Sequence, residues 1–504
     1  MQVEYQPYVG PRPFQQDDSR LFFGRDREAR DLVGLIVSNR AVFLHAPSGA
    51  GKTSLLNAKL IPFLKEEGFQ VLPTTRVVRP IPETLKQGEI TNVYIFNTLV
   101  GCSETPEDST NLAKMTFREF LSNLERSIDE FGQPQPLVVI LDQFEELFFS
   151  FEDRWTERER FFQQITEALQ YDRYCRTLFV MRDEFLGSLS QFEDIFPERI
   201  CKYHVDRLRE RAALSAITAP IKTTGRAFAS GVAESLVQKL LEVTIQKPYG
   251  EHDTVLGEFV EPVHLQIVCQ SLWEQLPANL PIITADQLRD FGDVDRPLEA
   301  YFESALQKVA ADTNVKEGAL RSWFERVLIT TAGTRAIVFR GSAETEGISN
   351  LAIDVLEQMH LIRAELRGGE RWYELTHDRF IEPIRDSNRR WLHSFSGTET
   401  DLRRLEEKAE AWIRGKSGLL DKTELREAER LLSSAGAIEL GYSDALRTFV
   451  QASAAVKQPK QVQRLSVWLV VTVILVLLTL SLAIFGWMQH SRVKELEQLL
   501  EQHK

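Results

Sequence analysis

The stretch "FLHAPSGAGKTSLL", Phe43 to Leu56, decides how this chain folds. It has the form of a phosphate-binding loop, G-x-x-x-x-G-K-[ST], with Ala46 in the place of the first glycine. Such a loop binds phosphate through backbone N–H groups aimed inward at a helix N-terminus, a lysine that neutralises the β- and γ-phosphates, and a hydroxyl on Mg²⁺. Gly49, Gly51, Lys52 and Thr53 occupy the later, more demanding positions. Alanine tolerates turns with φ below zero, so Ala46 is a permitted change. The flanks agree. "AVFLH" is a short apolar run, and "KTSLLNAKLIPFLKEEG" has the 3.6-residue period of a helix that Gly68 ends. Strand, loop and helix are the local expectation, with a nucleotide as ligand.

Working outward, "LVVILDQFEELF" is a buried strand ending in a carboxylate, which sets Asp142 at the strand's C-terminal edge beside the loop, where it would hold Mg²⁺ directly or through water. Glu145 and Glu146 follow on the next turn. Either would polarise a water for attack on the γ-phosphate, or both belong to a solvated acidic helix start. "RTLFVM", 176 to 181, reads as a further buried parallel strand. Arg182 after it would reach the γ-phosphate, or else pair with Asp183 or Glu184. Before the loop, Leu32, Leu35 and Ile36 recur at helical spacing after a turn at Gly24 and Arg25.

Past Pro220 the pattern turns mostly helical, with "SLVQKLLEVTI" and "PVHLQIVCQSLWEQL" as examples. Pro220 would pack on an adenine ring or simply end a helix. "HLIRAELRGGERWYELTH" reads as two strands joined through Gly368 and Gly369. His377 follows that hairpin, as a ligand or a structural donor. The expected divisions are an NTPase domain over 1–225, a helical domain over 226–296, a winged-helix-like domain over 297–395, a helical stalk over 396–464, a transmembrane helix over 465–488 and a short amphipathic tail over 489–504.

The whole chain sets bounds on these readings. At 504 residues it exceeds one core. A net charge of -13 and a pI near 5.4 argue against a surface built for phosphate backbones, so nucleic acid is not the expected partner. Cys102, Cys175, Cys201 and Cys269 are widely spaced without a C-x-x-C pair, which fits reduced thiols. "MQVEYQPYVGPRPF" carries no basic-then-apolar export signal. Leu465 to Met488 holds 24 residues without a charge, with Trp468 and Trp487 near its ends, and reads as a single membrane span. Lys457, Lys460 and Arg464 before it balance Arg492, Lys494 and Lys504 after it, so flanking charge leaves the orientation open. The availability of ATP would place the NTPase part in the cytoplasm.

Taken together, "PYVGPRPFQQDDSRLFFGR", "HAPSGAGKTSLLNAKLIPFL", "LVVILDQFEELF", "FVMRDEFLG", "EPVHLQIVCQSLWEQL", "YELTHDRFIEPIR" and "TELREAERLLSSAG" resemble the STAND class of P-loop NTPases, in particular the bacterial novel STAND group, over roughly residues 7 to 490. The resemblance implies nucleotide-binding, helical and winged-helix domains folded over one ATP or ADP and acting as a switch. It implies Lys52 and Thr53 on the phosphates, Asp142 on Mg²⁺, Arg182 as sensor arginine and Pro220 as the adenine-packing residue of a G-x-P motif. Thr218 stands there in place of glycine. His377 and Asp378 look like the element that holds the ADP β-phosphate in related closed states.

The expected architecture is thus an α/β P-loop NTPase with a parallel sheet, followed by helical and winged-helix domains, a helical stalk and one transmembrane helix. The nucleotide-binding set is Gly24, Arg25, Pro47, Ser48, Gly49, Ala50, Gly51, Lys52, Thr53, Ser54, Pro220 and His377. Lys52, Asp142, Glu145, Glu146 and Arg182 form the catalytic set, and Thr53 and Asp142 the metal set. The function this implies is a membrane-anchored ATP/ADP switch in a bacterial inner membrane, self-associating on ATP binding, with slow hydrolysis as reset and a possible separate sensor protein. A defence-like role rests on family analogy. The alternatives are a non-hydrolysing scaffold and a DNA-binding regulator. The second is disfavoured by the mixed charge of "DRFIEPIRDSNRRW".

Overall fold

The computed structural model describes residues 6–492 apart from 83–84, 86, 104–108, 247–251, 278–279, 292–293, 332, 368–369, 435, 438–441, 456–474 and 489. The chain divides into two compact units, Met1–Asn388 and Arg389–Lys504.

The first unit is built on a parallel sheet of β1 (Ala41–Ala46), β2 (Gln70–Val71), β3 (Leu137–Leu141), β4 (Cys175–Arg182) and β5 (Cys201–His204), in the order β2-β3-β4-β1-β5. Its central strands are apolar on both sides because helices cover both faces. On one face Val42, Leu44 and Ala46 of β1 meet Leu178 and Val180 of β4 and the helical run after the loop, through Leu55, Leu56 and Leu64. The helix Asp26–Ser38 buries Ala29, Leu32 and Ile36 there as well. The opposite face carries an aromatic layer in which Phe43 stacks on its register neighbour Phe179 at 4.3 Å and Phe144 meets Phe179 edge-on at 4.8 Å. Gly68, at φ +80, ends the helical run as expected: its N–H reaches Lys65 O at 3.1 Å and the next N–H reaches Leu64 O at 2.9 Å.

Beyond the sheet, the helices Glu210–Thr218, Val232–Leu241 and Pro262–Gln275 share a core with Tyr8, whose hydroxyl donates to Ile217 O at 2.6 Å. Two short strands, β6 (Ala227–Phe228) and β9 (Ile282–Ile283), pair in parallel beside it. The apolar run "SLVQKLLEVTI" is not helical throughout. The helix stops at Leu241 and the chain enters a hairpin of β7 (Glu242–Gln246) and β8 (His252–Leu256), since Val243, Thr244 and Ile245 are β-branched in succession and favour extended backbone. Next come the helices Asp295–Thr313, Glu317–Trp323 and Asn350–Gln358. They pack with an antiparallel sheet of β10 (Val338–Phe339), β13 (Ile362–Arg367) and β14 (Glu370–Leu375), ordered β10-β14-β13. A small pair, β11 (Glu344–Thr345) with β12 (Ile348–Ser349), precedes the last of those helices. The expected β13–β14 hairpin is present in register from Ile362↔Leu375 to Arg367↔Glu370, and its glycine turn lies outside the described residues.

In the second unit the helices Ser396–Ile413, Lys422–Leu432 and Asp444–Ala455 enclose an apolar core containing Leu402, Ala409, Leu425, Leu446 and Phe449. The expected membrane span is corrected. Among the described residues no helix is long and apolar enough to cross a membrane. Of the apolar run, 465–474 lie outside the described residues, and the helix over 475–488 covers roughly 21 Å at 1.5 Å per residue, against about 30 Å of bilayer core. The single-pass anchor, and the inner-membrane location that rested on it, fall with that finding. What stands is a parallel-sheet P-loop fold with helical regions.

All four cysteines are free. Cys102, Cys175 and Cys269 are buried, and Cys201 lies half-buried on the edge strand β5.

Candidate nucleotide site

β1 delivers the chain into the loop, where Gly49 and Gly51 take φ of +80 and +90, the left-handed region that favours glycine. Ala46 is fully buried against the sheet core and needs no positive φ, which is why alanine serves there. The helix begins at Lys52. The Lys52 ammonium donates to the carbonyl oxygens of Ala46 at 3.0 Å and Pro47 at 3.2 Å. Burial pulls its pKa down, with the Glu145 carboxylate opposing that shift. Thr53 donates its hydroxyl to Asp142 Oδ2 at 2.9 Å, and the other Asp142 oxygen accepts from the Gln143 N–H at 2.9 Å. The strand-end carboxylate and the loop hydroxyl are therefore direct neighbours.

Glu145 and Glu146 lie in the short turn Phe144–Phe148, and neither is part of a solvated helix face. Glu145 is 5% exposed. Its Oε1 pairs with Arg182 Nε at 3.1 Å, while its Oε2 is buried without a hydrogen-bond partner. Burial raises the Glu145 pKa, and Arg182 and then Lys52 oppose the rise. Burial also pushes Glu146 up to about 7, with Arg76 Nη1 at 3.9 Å from its Oε1 too distant to cancel the effect. Arg182 pairs with Glu145 rather than with Asp183 or Glu184, and its Nη1 donates to the Ala364 carbonyl of β13 at 2.6 Å.

A cavity of about 570 Å³ opens over the loop, within the usual range for small-molecule sites. Ser48 to Ser54, Arg25, Asp142, Glu145, Glu146, Arg182 and His377 line it; Gly24, Pro47 and Pro220 do not. Arg25 supports the loop from behind, donating to Ala50 O at 3.1 Å and Asp206 O at 2.6 Å. Gly24, at φ +86, lets that segment pass the helix Glu210–Thr218, because a Cβ there would stand 2.5 Å from Ala212 O. Ser54 accepts the Phe14 N–H at 3.2 Å, tying the opening segment to the loop helix. Pro220 is buried at the start of a short turn, and Ala216, one helical turn earlier, reaches the cavity.

His377 Nδ1 accepts the Arg379 N–H at 3.0 Å, which assigns the ring proton to Nε2, and Nε2 lies 3.8 Å from Glu261 Oε1. Burial lowers its pKa to about 4, so the ring is a neutral donor. Asp378 is taken up by Arg335 at 2.8 Å. Sequence reasoning missed Glu261, which pairs with Arg207 at 2.6 Å and whose Oε2 lies 3.6 Å from where a Cβ on Gly49 would stand. The available signal was an acid immediately before the proline that opens the helix Pro262–Gln275.

Comparison with known proteins agrees with this geometry. The family described as Novel STAND NTPase 1 matches residues 7–418. The chain belongs to the novel STAND NTPases. It is therefore a nucleotide-binding P-loop protein of NTPase type. Among solved structures, the chain of this novel STAND NTPase is similar to the Walker-type ATPase PABY2304 of Pyrococcus abyssi, at 14% identity over 74% of this chain and 98% of that one, with a TM-score of 0.38. It is also similar to the ORC2 protein of Aeropyrum pernix in ADPNP–ADP complexes, at 14% identity over 73% and 95% of the two chains, with a TM-score of 0.35. Likeness at that level says nothing of activity, ligand or partner. No curated protein matches this novel STAND NTPase.

Proposed function

We propose that this novel STAND NTPase is an ATP/ADP-dependent signalling switch. It changes conformation when ADP is exchanged for ATP, self-associates in the ATP form, and resets by slow hydrolysis. The observation that carries the reading is the double engagement of Arg182, on Glu145 beside the phosphate-binding loop and on the Ala364 carbonyl of β13. A γ-phosphate competing for that guanidinium would loosen β13 from the sheet domain, and only ATP would bring it. A ligand moves a two-state equilibrium by its differential contacts with the two states, and this is such a contact.

The remaining roles follow from the same geometry. Lys52 turns from the loop carbonyls to the β- and γ-phosphates. Thr53 and Asp142, hard oxygen donors 2.9 Å apart, suit Mg²⁺. When bound, Mg²⁺ neutralises phosphate charge. Glu145 is the carboxylate for activating water, and the Arg182 pair keeps it engaged, which suits slow turnover. His377 Nε2–H is a neutral donor facing the cavity, suited to a phosphate oxygen of ADP. Domain divisions at 225, 296 and 395, with a winged-helix-like third part, complete the reading.

The test uses the full chain beside Lys52→Ala. Nucleotide released on denaturation is identified, and mass is followed by light scattering with ADP or ATP and Mg²⁺. Co-purified ADP and growth in mass with ATP alone, both lost in the variant, are expected. A nucleotide-free protein whose mass ignores ATP would refute the switch.

A further inference from the structure

Side chains alternate along a strand, so residues two apart share a face. His45 shares the face of Phe43 on β1, Asp183 continues the face of Phe179 and Met181 just past β4, and His204 shares that of Lys202 on β5. Parallel pairing sets His45 directly beside His204. The three converge at the C-terminal edge of the sheet, on the face away from the phosphate-loop helix. His45 Nδ1 lies 2.8 Å from Asp183 Oδ1, and His204 Nε2 lies 3.1 Å from Asp183 Oδ2. One atom from each of the three side chains falls within 4.8 Å of the other two. Asp206 Oδ1 stands 3.9 Å from His204 Nε2, and its backbone is pinned by Arg25.

We propose that His45, Asp183 and His204, with Asp206 within reach as a fourth ligand, bind a divalent transition-metal ion of the zinc type. Four-coordinate Zn²⁺ with bonds of about 2.0–2.2 Å keeps its ligand atoms roughly 3.3–3.6 Å apart, so an entering ion has to part the two histidine–aspartate contacts slightly and draw in the wider separations, which lie within 4.8 Å. Two imidazole nitrogens and a carboxylate suit zinc and its neighbours rather than Mg²⁺ or Ca²⁺, which take oxygen donors. The ion is thus chemically distinct from the Mg²⁺ proposed at the nucleotide. The side chains of His45, Asp183 and His204 are 14%, 33% and 43% exposed, so an ion has a path from solvent. Cys201 takes no part, since it lies an odd number of residues from His204 and faces the other side of the sheet. A bound ion would join β1, the turn after β4 and the edge strand β5, and would fix the backbone next to Arg182.

The experiment titrates Zn²⁺ into the full chain by calorimetry, after chelator treatment and in buffer containing Mg²⁺, with Co²⁺ absorption as a probe of coordination. His204→Ala and Asp183→Ala are measured alongside, and nucleotide content and circular dichroism verify their folding. One Zn²⁺ per chain is expected, together with visible Co²⁺ bands of low coordination number. Loss of a ligand should weaken binding by more than about 100-fold, since even outer partners of a metal site are worth 10- to 100-fold. Should Asp183→Ala fail to fold, His204→Ala carries the test, because His204 is partly exposed on an edge strand. Absence of saturable Zn²⁺ uptake, or uptake of equal affinity in the parent and the folded variants, would overturn the site.

Discussion

Arg182 is one side chain with two obligations, and removing it separates them. Hydrogen bonds to charged groups contribute about 1.5–3 kcal/mol, so Arg182→Ala should weaken ATP by roughly tenfold to a hundredfold while sparing ADP. Displacement of a fluorescent nucleotide would measure both affinities, and an equal loss for ADP would deny the arginine a γ-phosphate role. Glu146 supplies a pH effect. Its carboxyl, raised from 4.5 to about 7 by burial, holds a proton in the folded chain that the unfolded chain has released across that window. Stability from this group is therefore fully present below pH 4.5 and falls as pH rises to 7, by at most about 3 kcal/mol. Glu146→Gln should flatten that slope in urea midpoints taken at the two ends, and identical slopes would contradict the buried protonated form. The contiguous motifs made Lys52, Thr53 and Asp142 legible because each sits at a strand end that a pattern can mark. Glu261, and the trio of His45, Asp183 and His204, were not legible. Sheet register brings the trio together from distant parts of the sequence, whereas Glu261, at the start of the helix Pro262–Gln275, comes beside Gly49 only through tertiary packing.

At the scale of elements, β1, β3 and β4 were readable as apolar runs, and the helix after the loop from its period and Gly68, whereas the short edge strands β2 and β5 carry no such run. The aromatic layer explains the strength of that signal. Phe179 is fully buried and touches both Phe43 and Phe144, so Phe179→Ala should cost about 3–5 kcal/mol. Denaturant unfolding of the nucleotide-bound chain would show the loss, and a change below about 1 kcal/mol would mean the layer can close over the gap. Two elements were misjudged for physical reasons. A count of apolar residues does not distinguish a helix from a strand, and β-branching at 243–245 carried the chain out of the helix. Likewise the uncharged run at 465–488 measures hydropathy alone, and among the described residues no helix is long and apolar enough to cross a membrane.

For the whole molecule, the division into two units bears on how the chain denatures. Each unit has its own apolar core, so unfolding should depart from a single two-state transition. Phe449 is 1% exposed and meets Trp412 at 5.5 Å in the second core. Phe449→Ala should lower one transition, by about 3–5 kcal/mol, and leave nucleotide content unchanged. Calorimetric scans with nucleotide analysis would decide it, and a coupled loss of both would show that the units fold as one. The cysteines described above carry one more consequence. Burial pushes the Cys102 and Cys175 thiols up to about 12 and Cys269 higher still, so alkylating reagents at neutral pH find no thiolate there. Cys201, on the edge strand, is the thiol left for slow modification, and a fluorophore attached to it would give the natural sequence a built-in reporter three residues from His204.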